Sequence, residues 1–340
     1  MGTLKKINFL LMIVMAIFLA ACGSDGNGAE GENASSGQAK TIKLAHAGSE
    51  SHQYHVAAEK FKEVLEGKEG TDFTVEIHPN ASLGSEGDAI EQVISGSLEM
   101  TTVAADSSLA NTIPEMNAFG IPYLFEDKDH VYSALDGEAG ENLLSLADDA
   151  GMKGIGYWEV GFRHLTNNSK EVMVPEDVAG MNIRVQPATV WEEHMRALGA
   201  SPTPVDFNEL YSALDQGVVD GQENPLPTID SMKFYEVQDY VSLTSHNYTP
   251  AVVLMSNSFY EELSEEEVTA VEEAVVEARD FQRQSLEERE EEILTTLEEE
   301  GVTITEPDRD AFAEATADVK ESVSDEVPDE IVQSLIESKE

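Results

Sequence analysis

The chain is poor in several residue types, and each scarcity excludes a class of protein. Its 340 residues include one cysteine, Cys22, so no disulfide can form within the chain. Lysine and arginine together number 20 against 67 aspartate and glutamate residues, which gives a formal net charge of −47. A chain this acidic lacks the basic surface that nucleic-acid binding needs. We interpret the excess as a solvated acidic surface, with a docking face for a basic partner as the alternative.

Long apolar stretches are also scarce. Residues 7–20 form one at the N-terminus. Its length is typical of a signal-peptide core and short for a membrane-spanning helix, and no later stretch reaches the roughly 18 residues that such a helix needs. The stretch runs into Leu-Ala-Ala-Cys at Cys22, a lipobox. We therefore predict a lipoprotein signal peptide over 1–21, lipidation of Cys22, and a flexible tether over 22–40. The protein is then extracytoplasmic and lipid-anchored to the cell membrane, at the cell surface or in the periplasm.

Motifs for catalysis are missing from the sequence. It contains no Gly-x-Ser-x-Gly elbow, no His-Glu-x-x-His and no phosphate loop, so a hydrolytic enzyme is the weaker alternative. We expect neither catalysis nor a cofactor. A metal-binding protein stays open through His46, His52 and His55, although these histidines have no evident carboxylate partner. A sensory ectodomain of the same fold would need a membrane helix or a signalling domain, and the sequence shows neither.

The hydrophobic pattern indicates an α/β fold. Alternating apolar residues predict strands at 41–47 and 73–78, and helical spacing predicts a helix over 51–65 between them. Such a βαβ start implies a parallel pair with a right-handed crossover. Further elements follow in the same order. They are helix 86–94, strand 98–103, a helix near 130–147, strand 154–158 and strand 181–185.

A short internal repeat suggests two similarly built lobes. Residues 90–100 and residues 210–221 both run from a helix to a glycine, Gly96 or Gly217, and then to a strand. A glycine at a helix end supplies the left-handed cap. Chance similarity is the alternative, because the repeat is short. Two lobes facing each other across a cleft would form a binding protein that closes about a hinge.

Two arginines are the strongest candidates for ligand binding. In Met181–Val185 the alternation places Met181, Ile183 and Val185 on the core face and turns Arg184 the other way. A guanidinium at such a place suits bidentate binding of a carboxylate, whereas a surface salt bridge would contribute only about 0–1 kcal/mol. Arg163, just after the strand that we expect to end at Trp158, is the second candidate, with an interlobe salt bridge as the alternative.

Three further residues complete the candidate site from the residues alone. Asn224 precedes a proline in a polar Gln-Glu-Asn segment that we expect to form a turn. Its amide either shapes that turn or donates to a carboxylate oxygen. Phe207 and Trp158 are candidates for the cleft wall, although core packing is the usual role of such residues.

The chain closely resembles the solute-binding component of tripartite ATP-independent periplasmic (TRAP) transporters. The likeness covers the chain from about residue 41 to the acidic C-terminal helices and rests on LGS at 83–85, GYWEVGFRHLTN at 156–167, MNIRV at 181–185, ALGASPTPVDFNELYSALDQGVVDGQENPL at 197–226 and KFYEVQDY at 233–240. The resemblance implies two α/β lobes with a hinge cleft, strands that cross between the lobes, and a long helix that spans both, which residues 262–297 match.

The resemblance also implies roles for individual residues. It makes Arg184 the main salt bridge to the substrate carboxylate, with Arg163 and Asn224 completing the site. Phe207 matches an aromatic residue that packs on the ligand, and Glu86 lies where some relatives contact its distal polar groups. Val160 and Gly87 depart from the residues that relatives often carry, asparagine and arginine, and put the identity of the substrate in doubt.

The whole set of predictions is an α/β solute-binding lipoprotein that captures a small organic acid, such as a C4-dicarboxylate or a uronate, and delivers it to TRAP membrane subunits driven by an ion gradient. We place lobe I at 41–160 plus about 250–289, and lobe II at 161–249 plus about 290–340. The sequence leaves the particular acid, the coupling ion and the oligomeric state open. A binder of a metal or of an uncharged solute for another transporter is the alternative.

Overall fold

The computed structural model describes residues 39–338. Cys22, the predicted signal peptide and nearly all of the predicted tether lie outside the described residues. The strands are β1 (Lys40–Ala45), β2 (Phe73–His78), β3 (Met100–Ala104), β4 (Met152–Asn167), β5 (Asn182–Val185), β6 (Ser201–Pro204), β7 (Gly221–Pro225), β8 (Tyr240–Ser242), β9 (Tyr248–Ser256) and β10 (Thr303–Thr305). The helices are α1 (Gln53–Glu66), α2 (Glu86–Ser95), α3 (Lys128–Leu135), α4 (Glu138–Asp149), α5 (Thr189–Ala197), α6 (Leu210–Asp215), α7 (Leu226–Ser231), α8 (Asn257–Tyr260), α9 (Glu265–Glu299), α10 (Arg309–Ala315), α11 (Val319–Ser322) and α12 (Asp329–Glu337).

The strands form a mixed sheet in the order β2-β1-β3-β9-β4-β7-β5-β6, with β8 paired to β4 and to β10. β1 and β2 are parallel, as the βαβ pattern predicts. One half of the sheet, from β2 to the first part of β4, belongs to the first lobe. The other half, with β5, β6, β7 and the end of β4, belongs to the second. The α/β class with two lobes, expected from the sequence, is therefore the fold of this chain.

β4 is the element that joins the two halves. Residues 152–162 pair with β9, and residues 163–167 pair with β7. The sequence pattern predicted that this strand ends at Trp158, which is wrong, because β4 runs on to Asn167. Its register to β9 shifts between Glu159 and Gly161, so one extra residue is inserted there. Such a bulge bends a strand and reverses which face the following side chains occupy.

The long helix α9 connects the two halves on one side of the sheet. Ser264 caps its N-terminus, because the Ser264 hydroxyl accepts from the backbone N–H of Glu267 and the Glu267 carboxylate accepts from that of Ser264. Its first part packs with α1 and β1 in one apolar cluster, through residues such as Ala274. Its last part packs with α6 and α7 in another, through Ile293 and Leu297. One helix thus contributes to two cores.

The internal repeat is reproduced in the backbone. Gly96 has φ +75° and Gly217 has φ +66°, both left-handed. After each glycine, the next backbone N–H donates to the backbone oxygen five residues earlier. These bonds run from Ser97 to Gln92 and from Val218 to Ala213. In both places the strand begins four residues after the glycine. The local prediction of a glycine cap before a strand is confirmed at both sites.

The predicted helix over 130–147 is two helices. α3 ends at Leu135, and α4 begins after Gly137. The second helix lies so close to the end of the first that a Cβ on Gly140 would be 2.1 Å from the Leu135 oxygen. The apolar spacing of the two helices is nearly in phase, so periodicity alone did not show the break. Farther on, α12 returns to pack on α3 and α4.

Candidate functional site

A small cavity of about 20 Å³ lies where the two halves of the sheet meet. The first half contributes side chains from α1, α2 and the loop after β3, and the second half contributes side chains from β5 and β7. Five of the six residues predicted to bind substrate line it: Arg163, Arg184, Asn224, Phe207 and Glu86. The remaining lining residues are His52, Tyr54, Ala104, Ser107, Val160, Gln186 and Thr228.

Trp158 is the residue that the structure does not bring to this cavity. Its side chain is 1% exposed and packs in the core of the first lobe, with its ring centroid 6.3 Å from that of Phe61. Its indole N–H donates to the backbone oxygen of Val275 on α9 at 3.2 Å. The bond satisfies the one polar atom of the side chain inside the core, so Trp158 holds β4 against α9.

Arg184 reaches the cavity from β5, whose neighbouring residues Ile183 and Val185 are buried in the core. Its side chain is 1% exposed, and its Nε donates to the backbone oxygen of Val205 at 2.8 Å. Within residues 39–338 no carboxylate lies within 4 Å of the guanidinium. Burial lowers the pKa of Arg184 to about 10; the charge of Arg163 adds to this effect, and the more distant charges of Glu223, Glu86 and Asp206 oppose it. The group remains a cation, and its charge has no direct counter-ion in the described part of the chain.

Arg163 has the opposite environment. Its Nε and Nη2 donate to the carboxylate of Glu223, and its Nη2 also donates to the backbone oxygen of Glu223 at 2.7 Å. Its Nη1 donates to the hydroxyl of Thr249 at 3.3 Å, and the guanidinium lies 5.1 Å from the ring centre of Trp191. Burial alone would lower the pKa of Arg163, but the charge of Glu223 raises it. Arg163 is therefore fixed on every side and neutralised.

Glu223 is the partner that sequence reasoning missed. It is fully buried, yet the pKa of its carboxyl is lowered to about 2, because Arg163 and the hydrogen bond from His246 outweigh the effect of burial, which raises it. His246 Nε2 lies 3.2 Å from the Glu223 carboxylate. Gln186, with its amide oriented to satisfy both neighbours, donates to Glu223 at 2.6 Å and accepts from Arg163 at 3.0 Å. The acid in the Gln-Glu-Asn segment was a signal, since a buried arginine requires a counter-ion.

Asn224 lies in β7 and not in a turn, so the predicted turn over Gln222 to Asn224 is wrong. The pairing of β4 with β7 extends through this segment to Pro225. The side-chain oxygen of Asn224 accepts from Arg163 Nη2 at 3.1 Å, and its Nδ2 donates to Gln222. The amide is thus held at the edge of the cavity by the same arginine that Glu223 fixes.

Glu86 and the rings of Phe207 and His52 also line the cavity. Glu86 stands in the first turn of α2, and burial raises the pKa of its carboxyl to about 7. It accepts long hydrogen bonds, 3.4 Å each, from the Tyr54 hydroxyl and from the backbone N–H of Ala104. Phe207 meets His52 edge to face, with ring centroids 5.7 Å apart. This part of the lining combines one carboxyl group with aromatic surface.

The histidines do not assemble a metal centre. His52 caps α1 by accepting from the backbone N–H of Tyr54, and its other nitrogen faces the Thr228 hydroxyl at 3.4 Å. His46 Nε2 lies 3.1 Å from His55 Nδ1. Burial lowers the pKa of His46 to about 3. Among the described residues no group of three or more histidine, cysteine or acidic side chains has the geometry to hold a metal ion.

The comparison with known proteins agrees with this geometry. The sequence model of the family described as "Bacterial extracellular solute-binding protein, family 7" matches residues 44–326. The 2,3-diketo-L-gulonate-binding periplasmic protein of Escherichia coli is 31% identical over 307 residues, which are 90% of this chain and 91% of that protein. The C4-dicarboxylate-binding periplasmic protein of Rhodobacter capsulatus is 30% identical over 282 residues, 82% of this chain and 84% of that protein.

A solved structure extends the likeness to three dimensions. The sugar acid binding protein of Advenella mimigardefordensis, in complex with galactonate, superimposes with a TM-score of 0.85 at 33% identity, covering 88% of this chain and 98% of that one. Within the described residues, none of the helices combines the length and the apolar content that crossing a membrane takes. The chain belongs to family 7 of the bacterial extracellular solute-binding proteins, the substrate-binding components of TRAP transporters.

Proposed function

We propose that this chain captures a small organic acid by its carboxylate and delivers it to TRAP membrane subunits, without catalysing a reaction. The observation that carries the proposal is the environment of Arg184. A buried guanidinium that opens on the cavity, with no carboxylate within 4 Å in the described part of the chain, calls for an anionic ligand. A carboxylate presents two oxygens in the geometry that a guanidinium donates to.

Capture requires the lobes to move. The cavity of about 20 Å³ is the size of one water molecule, whereas ligand pockets occupy roughly 300–1,000 Å³. The ligand would enter while the lobes are apart and would be enclosed when they close around β4 and α9. In this proposal lobe I is 41–160 plus about 250–289, and lobe II is 161–249 plus about 290–340. Closing expels water and strengthens the pairing between the carboxylate and Arg184.

The charges of the site favour a hydroxylated monocarboxylate over a dicarboxylate. Arg163 is already matched by Glu223, so Arg184 alone offers an unmatched positive charge at the cavity. The same cavity is lined by Glu86, which as a carboxylate repels a second carboxylate and accepts hydrogen bonds from hydroxyl groups. The relatives named for galactonate and diketogulonate bind acids of this kind, and the C4-dicarboxylate-binding relative is the alternative.

A thermal-shift screen of the chain from Ala39 onward tests the proposal, because the three apolar cores lie within this segment. The panel contains galactonate, gluconate and glucuronate, with succinate, malate, neutral sugars and zinc as comparisons. A ligand present at 100 times its Kd stabilises the folded state by about 2.7 kcal/mol. Stabilisation by hydroxylated monocarboxylates supports the proposal, and stabilisation by succinate and malate alone changes the substrate class. A response to a neutral sugar or to zinc alone would overturn the role of Arg184.

The location of the protein is a separate part of the proposal. Lipidation at Cys22 would hold the binding lobes beside the membrane subunits. Mass spectrometry of the protein extracted from membranes tests it, since a lipidated chain begins at Cys22 and carries acyl groups. A Cys22→Ser variant should appear in the soluble fraction and should bind the same acid. A wild-type chain that is found free of lipid would contradict the anchor while leaving the binding proposal intact.

A further inference from the structure

A second cavity, of about 310 Å³, lies on the other face of β4. It shares Val160 with the cavity that contains the arginines, and it is bounded by β4, by the segment 225–227 after β7 and by α9. Its volume is at the lower end of the range for ligand pockets, which is roughly 300–1,000 Å³. The larger of these two cavities is thus not the one that holds the predicted site.

The bulge in β4 explains why the two faces carry different chemistry. In a regular strand Glu159 and Arg163, four residues apart, would point to the same face. The extra residue between Glu159 and Gly161 reverses the alternation, so Arg163 lines the first cavity and Glu159 the second. Gly161 permits this shape, since its φ of +121° lies in the region that favours glycine.

Glu159 is a buried acid without a direct cation partner. Its side chain is 3% exposed, and its Oε2 accepts from the Tyr132 hydroxyl at 2.9 Å. No lysine or arginine nitrogen lies within 4 Å of its carboxylate in the described part of the chain, and Oε1 has no hydrogen bond there. Burial raises the pKa of Glu159, while the nearby charges of Lys128 and Arg283 oppose that effect. A buried carboxylate is stable as an anion only with a close partner.

The rest of the cavity combines an apolar floor with an acidic rim. The floor consists of Phe162, Pro225, Leu226, Leu243, Leu286 and Leu294. The rim carries Glu126, Asp127 and Glu290, against Lys128 and Arg309. Lys128 is itself bonded to Glu290 at 2.8 Å. With Glu159 included, acids outnumber bases by four to two, so the cavity disfavours anions and suits a cation.

We propose that this second cavity binds a small organic cation, a primary ammonium group on an apolar body, with the ammonium on Glu159 and the body on the apolar floor. The ammonium would donate to Oε1 of Glu159, and the apolar body would leave water for the surface formed by Phe162 and Leu294. The charge preference is the reverse of that of the first cavity, where the guanidinium of Arg184 would bind an anion. One strand would then carry two sites of opposite charge preference.

Hexylammonium chloride is the probe, titrated into the chain from Ala39 onward and followed by saturation-transfer NMR. Hexanol keeps the apolar body without the charge, and ammonium chloride keeps the charge without the body. We expect saturable binding of hexylammonium and binding at least about tenfold weaker for the other two, because both the charge and the apolar contact contribute. No saturable binding of hexylammonium, or equal binding of hexanol, would overturn the proposal.

Variants locate the binding. Glu159→Gln keeps the shape and the bond to Tyr132 and should weaken hexylammonium binding about tenfold or more, since it removes the charge. Glu291→Gln, an exposed change on the same helix as Leu294 and outside the cavity lining, is the matched control and should change it less than about twofold. Equal weakening in the two variants would mean general attraction by an acidic surface and would contradict the site.

A second variant, Leu294→Trp, tests the site even if Glu159→Gln does not fold. Leu294 is half-buried on the cavity wall, so the larger side chain of Leu294→Trp fills the cavity and leaves no void in the core. The variant should lose hexylammonium binding, and its unfolding temperature should stay unchanged. Arg184→Ala should leave hexylammonium binding unchanged. Organic-acid binding is measured in the same proteins, so a failed ammonium site with intact acid binding refutes this inference alone. Hexylammonium binding that survives Leu294→Trp would also refute it.

Discussion

The two arginines of the first cavity are alike in burial and opposite in pairing. Arg163 is enclosed by Glu223, Gln186, Asn224 and Thr249, whereas Arg184 makes a single described hydrogen bond, to the backbone oxygen of Val205. Two arginines in one site therefore have different roles. Arg163 acts as a rigid wall whose charge is already used, and Arg184 keeps its charge for the ligand. Changes at the two positions should therefore affect different quantities.

The largest effect on folding is expected for Glu223→Gln. The change leaves the charge of Arg163 buried without its partner and should lower the free energy of unfolding by about 3–5 kcal/mol. Urea unfolding, followed by circular dichroism, measures it. Glu192→Gln removes an exposed acid that pairs with Arg196 and should change the free energy by less than about 1 kcal/mol. Similar values for the two variants would mean that the Arg163 pair adds little to stability.

Arg184→Ala should show the reverse pattern. Affinity for the organic acid should fall by about 2–5 kcal/mol, measured by calorimetry, because the ligand carboxylate loses its main partner. The free energy of unfolding should stay the same or rise, since a buried charge without a direct counter-ion is removed. Arg184→Lys keeps the charge and loses the planar set of donors, so its affinity should lie between that of the wild type and that of Arg184→Ala. Wild-type affinity in the Arg184→Ala variant would show that Arg184 does not bind the ligand carboxylate.

Asn224→Ala should have a smaller effect on affinity, about 1–3 kcal/mol, because it removes one amide at the edge of the cavity and frees Nη2 of Arg163 from one acceptor. Asn208→Ala is a matched control, since Asn208 is exposed and lies outside the cavity. The same calorimetric titration measures both. An equal loss in the two variants would show that Asn224 has no particular role.

The smallest expected effect is the pH dependence of stability that Glu86 contributes. Burial raises the pKa of Glu86 to about 7 from its ordinary value of 4.5, so the folded protein binds this proton more tightly than the unfolded chain. This contribution to stability is complete below pH 4.5 and is lost as the pH rises towards 7. Glu86→Gln should remove the loss, so that the variant gains stability relative to the wild type across this range. Urea unfolding at several pH values measures the difference.

Two checks accompany the pH prediction. Asp106, whose pKa burial also raises to about 7, interacts with Glu86, so the difference between the two proteins includes the effect of Glu86 on Asp106. Glu91→Gln, an exposed change on the same helix as Glu86, is the control and is measured in the same way. A difference between Glu86→Gln and the wild type that stays flat with pH would mean that folding does not raise the pKa of Glu86.

The sequence predicted the parts of the fold that depend on local patterns. The strands around Ile42 and Ile183 follow from apolar alternation, and the long helix was expected from the family resemblance. Five of six site residues were placed at one cavity partly through the family motifs. What could not be predicted depends on pairing between distant segments. The continuation of β4 past Trp158 and the extended form of Asn224 both arise because these two segments pair with each other.

The pairing of Arg163 with Glu223 shows the same limit at the level of side chains. The two residues are 60 positions apart, and no local pattern states that one faces the other. The bulge at Gly161 is a further case, because it decides which face of β4 Arg163 occupies. Trp158, predicted as an aromatic residue of the cleft wall, packs instead against Phe61 and donates to α9, contacts that no local pattern states.

The placement of Arg184 inside a strongly acidic exterior has a kinetic consequence. An anionic ligand must first approach a chain of formal net charge −47 before it meets the buried cation. At low ionic strength this approach is opposed at long range, and added salt weakens the opposition, because the Debye length shrinks from about 30 Å at 0.01 M to about 3 Å at 1 M. Once the lobes have closed, the ion pair is shielded from bulk salt. The association rate constant for the acid should therefore rise with salt while the dissociation rate constant stays nearly level, so that uptake is fastest in saline surroundings.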